Sequence, residues 1–102
     1  MATETMKQEA QRFLSDVPAE NLFWVNDGCI LHNMKELGDE LKNMSDDAFF
    51  YHANGEKNDF INWVRDVIND QTLVRELRKA SSKAQSAKAV SNRINILSKR
   101  LS

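Results

Sequence analysis

The stretch "FWVNDGCIL", Phe23 to Leu31, sets two large aromatics and three aliphatics on either side of Asn26-Asp27-Gly28. Asp27-Gly28 is a strong two-residue hairpin signal, because a type I′ turn needs positive φ at both of its central positions. The arms, Phe23–Val25 and Cys29–Leu31, hold three residues each. A hairpin that short has no independent stability and must lie on helices. The stretch therefore reads as a small β-hairpin or ordered turn that closes a core, with Phe23, Val25, Ile30 and Leu31 facing inward.

The flanking sequence supplies those helices. On the N-terminal side, Thr5-Met-Lys-Gln8 has the form of a capping box, and Met6, Ala10, Phe13 and Val17 recur at helical spacing. A first helix is expected from about Thr3 to Ser15. Pro18 ends it, since the residue before a proline is pushed out of helical geometry. On the C-terminal side, Asn33 caps a helix whose Met34, Leu37, Leu41 and Met44 form one apolar stripe. Gly38 within that stripe costs up to about 1 kcal/mol against alanine, which implies a close packing partner. Ser45 caps the next helix, which carries Phe49, Phe50 and Ala53 and ends at Asn54-Gly55, expected to form a left-handed cap. Asn58 or Asp59 then caps the segment with the widest apolar face, from Phe60 to Ile68, and Asn69-Asp70 breaks it. Leu73, Val74 and Leu77 mark a short helix. Ser82-Lys-Ala-Gln85 opens the last one, with Ala87, Val90, Ile94, Leu97 and Leu101 on one stripe. The expected fold is mainly α: one domain over residues 1–102, a compact bundle of five or six short helices with one small β-hairpin or ordered turn near 23–31.

Composition narrows the function classes. The chain has 102 residues, 41% of them hydrophobic and 28% charged, ordinary values for a globular domain. No apolar run approaches the roughly 20 residues of a membrane span, so no membrane role is expected. Residues 1–10 are polar and of mixed charge, unlike a secretory signal. One cysteine cannot form an internal disulfide, which points to a reducing cytoplasm. The net charge of −1 hides an asymmetry: residues 1–70 carry 14 acidic and six basic side chains, whereas residues 71–102 carry eight basic and one acidic. Either a basic helix lies across an acidic body, or the basic segment meets an acidic partner.

The chemistry-bearing residues are few. Cys29 and His32 have C-x2-H spacing, but the second ligand pair of a structural zinc site is missing, so no metal or cofactor is expected and Cys29 is read as a small core residue. No nucleophile signature surrounds Cys29, and no glycine-rich phosphate loop is present. No catalytic residue is therefore assigned. The last helix, residues 83–101, offers Lys83, Lys88, Arg93, Lys99 and Arg100 to phosphates. The aromatics Trp24, Phe49, Phe50, Tyr51 and Trp63 serve a core or an interface, with one edge, Tyr51 or Trp24, expected at the surface.

The order of these features resembles a family of small prokaryotic domains of unknown function. The shared pattern begins with an aromatic (Phe23), Asp27-Gly28 and the aliphatic Ile30, then Asn33-Met34 with Glu36-Leu37. It continues through Asp46, Phe49 and His52, then Asn58-Asp59-Phe60 with Trp63, and closes on Asp70 and Leu73. The likeness spans about Phe23 to Leu77 and implies no reaction or cofactor. It singles out His52, Asn58, Asp59, Trp63 and Asp27 as a candidate polar recognition site; the plainer alternative makes Asn58-Asp59 a helix cap with His52 bonded against it. The expected function is a non-enzymatic cytoplasmic interaction module binding a protein partner, the alternative a nucleic-acid-associated protein using the basic last helix.

Overall fold

A computed structural model describes residues 4–102. Among them are six helices and one two-stranded antiparallel hairpin. Helix α1 spans Met6–Leu14, and a short 3-10 turn at Ala19–Asn21 leads into strand β1 (Phe23–Trp24). Strand β2 (Ile30–Leu31) pairs with it, Phe23 opposite Leu31 and Trp24 opposite Ile30. Helices α2 (Met34–Asn43), α3 (Asp46–His52) and α4 (Asp59–Trp63) follow; α4 runs on into a single π-helical turn, Val64–Ile68. Helices α5 (Gln71–Lys79) and α6 (Lys83–Leu101) complete the chain. The expectation of a mainly helical bundle with one small hairpin holds. The expected start of α1 at Thr3 lies outside the described residues.

Every helix begins on a side-chain cap. Thr5, Asn33, Ser45, Asn58, Asp70 and Ser82 each accept from a backbone N–H in the first turn of the helix that follows. Each cap satisfies one of the donors that a helix start leaves unpaired. The choice between Asn58 and Asp59 falls to Asn58, whose Oδ1 accepts from Ile61 N–H at 3.0 Å. That leaves the Asp59 carboxylate free to act elsewhere.

Two expectations about turns are corrected. The hairpin loop is not type I′. Gly28 has φ +100°, but Asp27 does not have positive φ. Val25 N–H donates to the Cys29 carbonyl, and Gly28 N–H donates back to the Val25 carbonyl, each at 2.9 Å. The loop is thus three residues, a tight turn followed by a left-handed glycine. Asp27 Oδ1 accepts from Cys29 N–H at 2.9 Å, so its carboxylate ties down the loop it sits in. The second correction concerns Gly55, which is not left-handed. The chain instead folds back through Asn54 N–H to the Lys57 carbonyl at 2.8 Å, and Ala53 pairs with Asn58. The left-handed residue among the non-glycines is Asn69, at φ 68°, where Asn69 N–H closes the π turn onto the Val64 carbonyl at 2.7 Å.

The core is continuous across all six helices. Phe23, Val25 and Leu31 of the hairpin are buried with Met34, Leu37, Leu41, Phe60 and Leu73, and Ile30 is half-buried. Helix α6 is the spine, packing along α2 and α1. Gly38 explains the closeness of α2: a Cβ there would sit 3.1 Å from Val90 Cγ1 and 3.5 Å from Ile94 Cδ1.

One buried polar contact organises the C-terminal half. Arg93, expected on a phosphate-facing surface, is 6% exposed, and its guanidinium forks onto Asp70, itself 0% exposed. Nε donates to Oδ2 at 2.7 Å and Nη2 to Oδ1 at 3.1 Å. Removing one partner of a buried pair leaves an uncompensated charge, which costs about 3–5 kcal/mol, a large share of the roughly 5–15 kcal/mol of a domain. Arg93→Ala is expected to lose that much in urea unfolding, and the double variant Asp70→Asn/Arg93→Met, which removes both charges but keeps a side chain able to cap α5, less. An Arg93→Ala protein as stable as wild type would refute the role given to the pair.

Candidate functional site

The residues singled out by sequence divide between two places. The first centres on His52, buried at the end of α3 with 5% exposure. Its Nδ1 lies 2.9 Å from Asp59 Oδ2, and its Nε2 accepts from the backbone N–H of Asn26 at 3.0 Å. An Nε2 that accepts carries no proton, so the ring is neutral and donates from Nδ1 to Asp59. Lys57 Nζ sits 3.2 Å from the same Asp59 oxygen. Burial pushes the Asp59 carboxyl up, but the His52 and Lys57 contacts outweigh it and hold the carboxyl below its usual range. The rings of Phe23 and Phe60 enclose the imidazole at centroid distances of 5.1 and 5.4 Å.

A histidine oriented by an aspartate is the core of many general bases. Here the second nitrogen is already used. The Nε2 lone pair that would take a proton from a substrate holds the hairpin loop in place. The arrangement does mechanical work: it locks Asn26, at the tip of the hairpin, to α3 and α4.

Trp63 and Asn58 are likewise engaged internally. Trp63 is buried, donates from Nε1 to the Asn21 carbonyl at 2.8 Å, and meets Phe23 edge-on at 5.7 Å. Asn58 is the cap of α4. Asp27 does not join this group; the contact that reaches His52 from the loop is the backbone of its neighbour Asn26. Sequence spacing found the right loop and missed the atom, because a backbone donor leaves no trace in residue identity.

Asp27 belongs to the second place. Its carboxylate, Cys29 Sγ and the Glu40 carboxylate all lie within 4.8 Å of one another on the outside of the hairpin and α2. The reading of Cys29 as a core residue is corrected: the thiol is exposed, although its hairpin partner Val25 is buried. His32 is not part of the cluster; its Nδ1 contacts Glu36 Oε1 at 2.8 Å. Cys29, His32 and His52 therefore do not converge. Glu40 and Asp27 beside the sulfur push the Cys29 thiol up to about 11. Burial and the facing Asp27 also raise the Glu40 carboxyl, whereas the Cys29 N–H and Glu40 lower that of Asp27. A protonated thiol is a poor nucleophile and a poor metal ligand at neutral pH.

Three cations of the last helix are tied to the acidic body. Arg93 meets Asp70, Arg100 meets Glu9 at 3.2 Å, and Lys83 meets Asp46 at 3.2 Å. Of the five cations expected on phosphates, Lys88 and Lys99 alone have no acidic partner among the described residues. The aromatics left at the surface are Trp24 (66% exposed), Phe50 (66%) and Tyr51 (57%). Among the described residues no helix is long and apolar enough to cross a membrane. Comparison of the chain with family models, curated proteins and solved structures finds no match.

Two outcomes check these assignments. His52→Ala should strand the Asn26 N–H, worth about 1–3 kcal/mol, and speed amide exchange at the hairpin loop more than in α2; unchanged exchange at Asn26 would contradict the lock. Alkylation of Cys29 should be slow at neutral pH and rise with an inflection near 11. Glu40→Gln should shift that inflection down toward the ordinary thiol value of about 8.5 and speed the reaction at neutral pH. A wild-type inflection already at the ordinary value would show that the carboxylates do not act on the sulfur.

Proposed function

We propose that this chain is a non-enzymatic interaction module that presents an aromatic surface, on the hairpin and α3, to a protein partner. The observation that carries the reading is the exposure of Trp24, Phe50 and Tyr51 on two elements that the Asn26–His52 hydrogen bond holds together. The core does not need these rings, since Phe23, Phe60 and Trp63 fill it. Aromatic side chains are the commonest anchors of protein interfaces, because they bury much area with few rotatable bonds. A rigid support lowers the entropy lost on binding.

Other observations support the non-enzymatic part. Both ring nitrogens of His52 are engaged, and the thiol of Cys29 is held protonated. The single thiol suits a reducing cytoplasm, the compartment we propose. The nucleic-acid alternative keeps Lys88 and Lys99, with Asn92 and Asn95, exposed along α6. It loses Arg93 to the core and has Arg100 engaged by Glu9, which is why we favour a protein partner.

The test compares immobilised wild-type chain with the triple variant Trp24→Ser/Phe50→Ser/Tyr51→Ser, its fold checked by circular dichroism and by the fluorescence of buried Trp63. A protein retained in stoichiometric amount by wild type and lost by the triple variant is the expected result. Equal retention by both, or none by wild type, overturns the reading. Retention of nucleic acid that weakens steeply with salt and vanishes in Lys88→Glu/Lys99→Glu would establish the alternative instead.

A further inference from the structure

A second surface, sharing no residue with the aromatic one, lies where the end of α2 meets the first turns of α6. It is an open groove of about 410 Å³. It is lined by the small side chains of Ala84, Ala87 and Ser91, by Asn92, and by Lys42, Lys83 and Lys88. No acidic side chain lines it. The geometry points to a docking site for an acidic segment of a partner protein, one that sets carboxylates on either side of a short apolar side chain.

Charge complementarity is the first argument. Lys42 and Lys88 are exposed and have no acidic partner among the described residues. Lys83 is held in place from behind: its Nζ donates to the Met44 carbonyl at 2.7 Å. Its one acidic neighbour, Asp46 at 3.2 Å, is 94% exposed, so that carboxylate can be exchanged for an incoming one at small cost. The helix adds to the same field. The first turn of α6 carries no acidic residue and begins with Lys83, so cations sit at the positive end of a 19-residue helix. Charges placed there repel the helix pole, and a bound carboxylate relieves that repulsion.

The small residues of the lining decide which polyanion fits. They let another backbone approach closely, and the methyls of Ala84 and Ala87 reward an apolar side chain that a phosphate chain does not have. Single-stranded nucleic acid is held by stacking on aromatic rings, and none lines this groove. An acidic peptide with interspersed leucine or alanine matches both the small residues and the lysines.

The probe is a dye-labelled synthetic peptide that alternates paired glutamates with single leucines, followed by fluorescence anisotropy against the whole chain at low and near-physiological salt. Controls are a glutamate-only peptide of equal length, a labelled single-stranded DNA and vesicles containing anionic lipid. The expected result is tightest binding for the glutamate–leucine peptide, weakened about tenfold or more in Lys42→Glu/Lys88→Glu, where both positions are exposed and the fold is retained by circular dichroism. Amide shift changes should fall within residues 42–44 and 83–92. The Trp24→Ser/Phe50→Ser/Tyr51→Ser variant should bind this peptide as wild type does, which separates failure of the groove from failure of the aromatic surface. No binding at low salt, binding undiminished in the charge-reversed variant, or equal preference for DNA or vesicles would each overturn the proposal.

Discussion

The buried fork between Arg93 and Asp70 is the contact on which the C-terminal half of this protein depends. Taking both charges out of water costs several kcal/mol each, and only good geometry offsets that. The geometry is met at several points at once. Asp70 Oδ1 also caps α5 through Leu73 N–H at 3.2 Å, and the Arg93 guanidinium lies 5.8 Å from the Phe13 ring of α1. One side chain from α6 therefore reads the start of α5 and the face of α1. The apolar stripe of α6 by itself would tolerate a rotation or a slide, since the hydrophobic effect is non-directional. The fork does not tolerate either, and with α6 so placed, Val90 falls against Gly38 of α2.

His52 performs the same task for the N-terminal half with weaker groups. A hairpin of two paired residues per strand cannot hold itself. It is held by burial of Phe23, Val25 and Leu31, and by the loop amide of Asn26 on the imidazole. Asp59 selects the tautomer that leaves Nε2 able to accept. The constellation resembles half of a catalytic centre, with its second ring nitrogen bonded to the hairpin loop. Through both nitrogens of one imidazole the hairpin, α3 and α4 are tied together, and Trp24, Phe50 and Tyr51 on the hairpin and α3 keep their rings exposed.

The division of charge along the chain is offset in part by pairing in three dimensions. The acidic residues Glu9, Asp46 and Asp70 meet Arg100, Lys83 and Arg93, so α6 is stitched across the acidic body at both ends and the middle. What this leaves unneutralised is not uniform. Lys42 comes from the acidic half, yet it sits beside Lys83 and Lys88 around the α2–α6 groove. The positive groove is thus assembled from both halves of the chain.

The local code of this protein is written in its sequence: helix starts at Thr5, Asn33, Ser45 and Ser82, a break at Pro18, a hairpin at Asp27-Gly28, apolar stripes at helical spacing. These depend on neighbours within four residues, and such neighbours are always present. That some close approach occurs at Gly38 was also legible, since a glycine inside a helical stripe costs stability unless something packs there; that the partner is Val90 of α6 was not. Tertiary structure decided the rest. Arg93 reads as one more cation on a basic helix until Asp70, 23 residues away, is placed against it. Cys29 reads as core until the folded hairpin leaves its thiol exposed beside Asp27 and Glu40. The His52 acceptor is met by a backbone amide 26 residues earlier, which no side-chain pattern encodes. Burial and pairing of polar groups are properties of the assembled chain, because the dielectric and the partners that decide them do not exist before it folds.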